Sequence, residues 1–135
     1  MSAQRPTILI VDDDPDLLES LAAFLDAQGY RVVRARDSQE GLRLARSEPP
    51  DLIVMDIMMR ERTEGLFAVQ EIRRTPALAG VPVFVLSALY EKAPEFRVPA
   101  DAAWLAHDEF FAKPVDLPVF LEKVRSRVGA GEARI

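Results

Sequence analysis

The run Thr7-Ile8-Leu9-Ile10-Val11 shows no alternation of apolar and polar residues, and it stops abruptly at Asp12-Asp13-Asp14-Pro15. A strand with one face in water alternates. A strand that is apolar throughout is covered on both faces, as in a parallel sheet with helices above and below it. Asp51-Leu52-Ile53-Val54-Met55 and Pro82-Val83-Phe84-Val85-Leu86 repeat the pattern and are closed by Asp56 and Ser87. Tyr30-Arg31-Val32-Val33-Arg34 and Phe110-Phe111-Ala112 read as two further strands.

Helical spacing fills the intervals. Asp14 as cap and Pro15 at the first helical position open a helix in which Leu17, Leu18, Leu21, Phe24 and Leu25 recur until Gly29. Asp37 and Glu40 have capping-box spacing before a helix over about 38–46, which Pro49-Pro50 ends. Leu66, Val69 and Ile72 mark a third helix, stopped by Pro76. Leu117, Phe120, Leu121, Val124 and Val128 form the stripe of a last one, ended by Gly129. Between Ala88 and Glu109, Pro94 and Pro99 break the periodicity, so a short or broken helix and an irregular loop around Trp104 are expected.

Alternating strands and helices call for an α/β fold: a five-stranded, doubly wound parallel sheet in the order 2-1-3-4-5, a flavodoxin-like three-layer sandwich. The expected domain covers residues 7–128, with 129–135 as a tail, and in 135 residues no second domain is expected. The chain has no Cys and a single His107, which argues against disulfides, zinc knuckles, thiolate catalysis and a multi-histidine metal centre. With 22 acidic against 17 basic residues, direct nucleic-acid binding is not expected. No apolar run reaches the ~18 residues of a membrane span, and Met1 to Pro6 lacks a signal-peptide core, so the expected compartment is the cytoplasm.

In such a sheet, ligands bind at the carboxyl ends of the strands, near the switch point between strands 1 and 3. That edge collects Asp12, Asp13 and Asp14 after the first strand, Asp56 after the third, Ser87 after the fourth and Lys113 after the fifth. Two like charges about 5 Å apart repel by roughly 3 kcal/mol at an effective dielectric near 20, so the cluster asks for a cation. Mg2+ suits it, because Mg2+ takes oxygen ligands and bridges carboxylates to phosphoryl groups. Lys113 is one of only three lysines and supplies a compensating ammonium. A carboxylate so placed is a nucleophile toward phosphorus, and Asp56, alone at its strand end, is the candidate. Ser87 and nearby backbone N–H groups would bind the phosphoryl oxygens.

Val11-Asp12-Asp13-Asp14-Pro15, Met55-Asp56-Ile57-Met58-Met59, Val85-Leu86-Ser87-Ala88 and Phe111-Ala112-Lys113-Pro114 together resemble the receiver domain of two-component response regulators. Thr63-Glu64-Gly65 is similar to the segment found in stand-alone receivers. The resemblance implies that Asp56 accepts a phosphoryl group from a histidine kinase or phosphotransfer protein. It implies that Asp13 binds Mg2+ directly, Asp12 mainly through water, and the Met58 carbonyl as a further ligand. Ser87, Ala88 and Lys113 would bind the phosphoryl group, Ser87 and Phe110 would act as the switch, and the peptide before Pro114 would be cis. Output would pass through a protein surface to a downstream target, with homodimerisation a possible route.

Arg60 stands where the family usually has Pro, and the loop to Gly65 is about one residue longer than usual. The hydrophobic Met58 and Leu89 flank the site where polar residues could position water, so slow self-dephosphorylation is expected. Two alternatives stand beside this reading. One is a haloacid-dehalogenase-like phosphohydrolase built on Asp12-x-Asp14, although Pro15-Asp16 does not fit its motif. The other is a degenerate receiver that only docks partners.

Overall fold

The computed structural model describes residues 5–56, 64–87, 109–112 and 115–129. Five strands, β1 (Thr7–Val11), β2 (Arg31–Ala35), β3 (Leu52–Asp56), β4 (Val83–Ser87) and β5 (Glu109–Ala112), form one parallel sheet in the order β2-β1-β3-β4-β5. The described helices are α1 (Pro15–Ala27), α2 (Ser38–Ser47), α3 (Glu64–Arg74) and α4 (Leu117–Val128). The expected architecture is therefore present. The interval 88–108, with its expected broken helix, lies outside the described residues.

Successive strand residues feed opposite cores, which is why the strands read as uninterrupted apolar runs. Leu9, Val11, Ile53, Met55, Val83 and Val85 face one side, packed with Ala45 of α2 and Val69 and Ile72 of α3. Ile8, Ile10, Leu52, Val54, Phe84 and Leu86 face the other, packed with Leu18, Leu21 and Leu25 of α1 and Phe120 and Val124 of α4. Phe84, Phe111 and Phe120 join β4, β5 and α4 through tilted and edge-on ring contacts with centroids 5.1–6.1 Å apart. On the other face α2 lies close to β1. A Cβ at Gly41 would come within 2.7 Å of Val11 Cγ2, so only glycine fits this approach unaltered.

Capping follows the sequence with small shifts. Asp14 Oδ1 accepts from Asp16 N and Leu17 N, and Pro15 opens α1. Asp37 Oδ1 accepts from Glu40 N at 2.8 Å, but Glu40 Oε1 reaches back to Arg36 N at 2.9 Å, one residue before the cap. Asp116 caps α4 by accepting from Val119 N, and this places Leu117 at the exposed first position of the helix. Leu117 is 37% exposed and not in the core stripe expected of it: as the first residue of the helix it lies at the very end of the apolar face, which is buried from Phe120 onward.

The second strand begins one residue later than the pattern suggested and excludes Tyr30. Tyr30 is instead fully buried, after the turn at Gly29 (φ 94°), and its hydroxyl donates to the Gly129 carbonyl at 2.6 Å. It ties the α1–β2 turn to the end of α4. Tyr30→Phe is expected to lower unfolding free energy by about 1–2 kcal/mol in urea titrations, because a part-buried carbonyl loses its donor. Phe120→Ala, which empties the centre of the aromatic cluster, should cost more, roughly 3–5 kcal/mol.

Candidate functional site

The site is built by strand register. β1 and β3 are neighbours with Ile10 beside Val54 and Val11 beside Met55, so the next step along both strands sets Asp12 beside Asp56. Asp56 is the last residue of β3 rather than the first of the following loop. Its carboxylate is therefore carried on a rigid element. Asp12 is held from two sides: its N–H donates to the Ala35 carbonyl at 3.1 Å, which continues the β1–β2 ladder, and its Oδ1 accepts from Asp14 N at 2.9 Å. That second bond is an Asx turn, which swings the chain from strand into α1 and leaves Asp13 over the strand end.

Carboxylate oxygens of Asp12, Asp13 and Asp56 lie within 4.8 Å of one another. Asp12 is fully buried, Asp56 is 1% exposed and Asp13 is half-buried, so the cluster opens to solvent on the Asp13 side. At that spacing each charged pair repels by about 3 kcal/mol at an effective dielectric near 20. Burial removes the water that would screen it. The donor set is purely carboxylate oxygen, with one partly exposed member, and this fits a hard divalent cation that keeps part of its hydration shell. Mg2+ meets that description.

Of the residues singled out in the sequence, the structure brings Asp12, Asp13 and Asp56 together. Asp14 is not among them, since its carboxylate caps α1. Ser87 ends β4, paired with Ala112 of β5, and Leu86 of β4 lies beside Asp56, so Ser87 stands one step beyond the acid on the neighbouring strand. Phe110 lies on β5 beside Val85. Met58, Ala88, Lys113 and Pro114 lie outside the described residues. Among the described residues, no helix is long and apolar enough to cross a membrane.

A carboxylate trio with two buried members, at the switch point of a 2-1-3-4-5 sheet and followed on the next strand by a hydroxyl residue, is matched by a known family. The family model for the response regulator receiver domain covers residues 8–125. The chain belongs to the response regulator receiver family.

Among curated relatives, the polar-differentiation response regulator DivK of Brucella anthropi is 30% identical to this receiver over 123 residues, covering 91% of this chain and 96% of DivK. The DNA-binding dual master transcriptional regulator RpaA of Synechocystis sp. is 34% identical over 121 residues, but this receiver spans only about half of it, 48%. The solved structure of TrrA from Thermotoga maritima, in complex with Mg2+ and BeF, superposes with a TM-score of 0.74 at 29% identity, covering 90% of this chain and 97% of that one. The chemotaxis protein CheY4 of Vibrio cholerae shares the fold at a TM-score of 0.78 and 22% identity, covering 93% and 99%.

The chain accordingly has the phosphoacceptor signalling role of a receiver domain, a switch family. The family match gives no support to the phosphohydrolase alternative, and the use of Asp14 as a helix cap removes the second acid that the Asp-x-Asp reading required.

The carboxylate trio makes the cation-free protein self-repelling, and this has a measurable consequence. Removing one charge by Asp13→Asn should raise Tm in chelator and abolish most of the response to Mg2+. The unaltered chain should gain about 1.4–2.7 kcal/mol at Mg2+ concentrations 10–100 times Kd. Scanning calorimetry of both proteins with and without Mg2+ checks this.

Proposed function

We propose that this receiver accepts a phosphoryl group on Asp56 in a Mg2+-dependent reaction and signals the change through a protein contact surface. The observation that carries the reading is the convergence of Asp12, Asp13 and Asp56 within 4.8 Å, with Asp56 on the end of the central strand. An Asp56 carboxylate oxygen forms the new bond to phosphorus. The P–N bond of a phosphohistidine, or the P–O bond of a small acyl phosphate, breaks, and the leaving group departs with the bonding pair.

Asp13 would hold the metal directly, Asp12 through water, and the Met58 carbonyl would complete the protein's share. A cation held there would supply charge neutralisation among the carboxylates and on the transferring oxygens. Lys113, the Ser87 hydroxyl and the Ala88 N–H would hold the phosphoryl oxygens. Ser87 and Phe110 would couple the modified acid to the β4–β5 side of the sheet. That side packs on α4 through Phe84, Phe111 and Phe120, so a shift at the strand ends would reach the protein surface through one aromatic cluster. The donor would be a histidine kinase or phosphotransfer protein, the compartment the cytoplasm, and the working domain residues 7–128.

Incubation with Mg2+ and acetyl phosphate should add one phosphoryl mass to the chain and none to Asp56→Asn, read by intact mass. Modification at Asp12, or an unmodified chain beside a competent control receiver, contradicts the proposal. The acyl phosphate should also be long-lived, because Met58 and Leu89 offer no polar group to align water. Decay complete within seconds in Mg2+ buffer, while the unfolded acyl phosphate persists, contradicts that expectation, and Met58→Asn should shorten the lifetime.

A further inference from the structure

The segment from Tyr30 to Ser47 carries five arginines in a chain of net charge -5, and the structure separates them into two kinds. Arg31 pairs with Glu48, Arg34 with Glu19 at 3.0 Å and Arg46 with Glu71 at 3.4 Å. These three brace β2 and α2 against neighbouring elements. Arg36 and Arg43 are exposed and enter no ion pair among the described residues.

Arg36 differs from Arg43 in where it stands. It follows β2 directly, and because Ala35 lies beside Val11 and accepts from Asp12 N, Arg36 occupies the same sheet edge as the carboxylates, one strand over from Asp12. Adjacent strands are about 4.8 Å apart, which sets its backbone roughly that far to the side of the Asp12 backbone. Its main chain is fixed there, with Arg36 N donating to Glu40 Oε1 at 2.9 Å and Asp37 capping α2. Among the described residues the long side chain enters no ion pair, and it stands within about one Debye length, ~10 Å at 0.1 M salt, of the half-buried Asp13 side of the carboxylate trio.

We infer that Arg36 is an electrostatic guide for the phosphodonor: its guanidinium offsets, at the mouth of the pocket, the repulsion that the carboxylates exert on an incoming anionic phosphoryl group. The inference rests on the phosphoacceptor reading above. A positive charge in this position acts with opposite sign on the two ligands of the site. It draws the phosphoryl dianion in, and it weakens the binding of Mg2+. A residue that merely supports the fold would move both in the same direction.

The test measures two quantities on the unaltered chain, Arg36→Gln, Arg36→Glu and, as a charge-matched control, Arg43→Glu. Arg43 sits on α2 more than a turn further from the sheet edge. The first quantity is the second-order rate constant for phosphorylation by acetyl phosphate, at ~10 mM and ~0.5 M ionic strength. The second is Mg2+ affinity from an NMR shift titration at low salt.

At low salt, phosphorylation should slow about threefold in Arg36→Gln and about tenfold in Arg36→Glu, converging to within about twofold at high salt, while Mg2+ binds about threefold tighter or more. Arg43→Glu should stay within about twofold on both. Equal rates for all four proteins at low salt overturn the inference. So does a salt-independent loss of both rate and Mg2+ affinity, which would mark a structural role. An unaltered chain that binds Mg2+ yet takes no label overturns the phosphoacceptor reading and this inference with it. An unaltered chain labelled on Asp56, with variants that are indifferent, overturns this inference alone.

Discussion

Pairing Val11 with Met55 across the β1–β3 ladder forces two carboxylates together where both strands end, and the burial of Asp12 and Asp56 keeps water from relaxing them. Like charges at this separation are unfavourable by a few kcal/mol for each pair, a sizeable fraction of the stability of a domain this small. Such an arrangement persists only because the two cores over-determine the register. Shifting either strand by one residue would turn Leu9, Val11, Ile53 and Met55 toward the wrong face. Core packing therefore fixes the acids in place, and a carboxylate trio so held suits a divalent ion.

The remaining elements can be understood by what they do for that edge. The Asx turn at Asp12 and the cap at Asp14 use neighbouring acids for different tasks: one shapes the loop, the other starts α1, and Asp13 is left for the pocket mouth. Gly41 lets α2 approach β1 just beneath the carboxylates. On the opposite face, Phe84, Phe111 and Phe120 connect the strands beyond Asp56 to α4, and Tyr30 fastens the far end of that helix to the α1–β2 turn. One aromatic cluster thus joins the strands beyond Asp56 to a helix that Tyr30 holds at its other end.

Charge is distributed with a similar division. Arg31, Arg34 and Arg46 are spent on half-exposed ion pairs, which contribute little each to stability. All five arginines of this segment are exposed, so exposure does not separate the paired from the unpaired. Whether an arginine is paired depends on acids brought close by folding: Glu19 is fifteen residues from Arg34, and Glu71 twenty-five from Arg46.

From the sequence alone, the uninterrupted apolar runs determined buried parallel strands, the Asp and Pro signals determined where α1 and α2 begin, and the four strand-end motifs determined the family. These are local properties: burial on both faces, cap chemistry and helical period are each decided within a few residues. Tertiary structure alone decided that Asp12, Asp13 and Asp56 come within 4.8 Å of one another, that Tyr30 leaves its strand to bond Gly129, that Leu117 stays exposed, and that Arg36 enters no ion pair among the described residues. Each of those outcomes depends on contacts between distant segments, Asp12 and Asp56 being forty-four residues apart. Such contacts exist only once both cores have packed and locked the register.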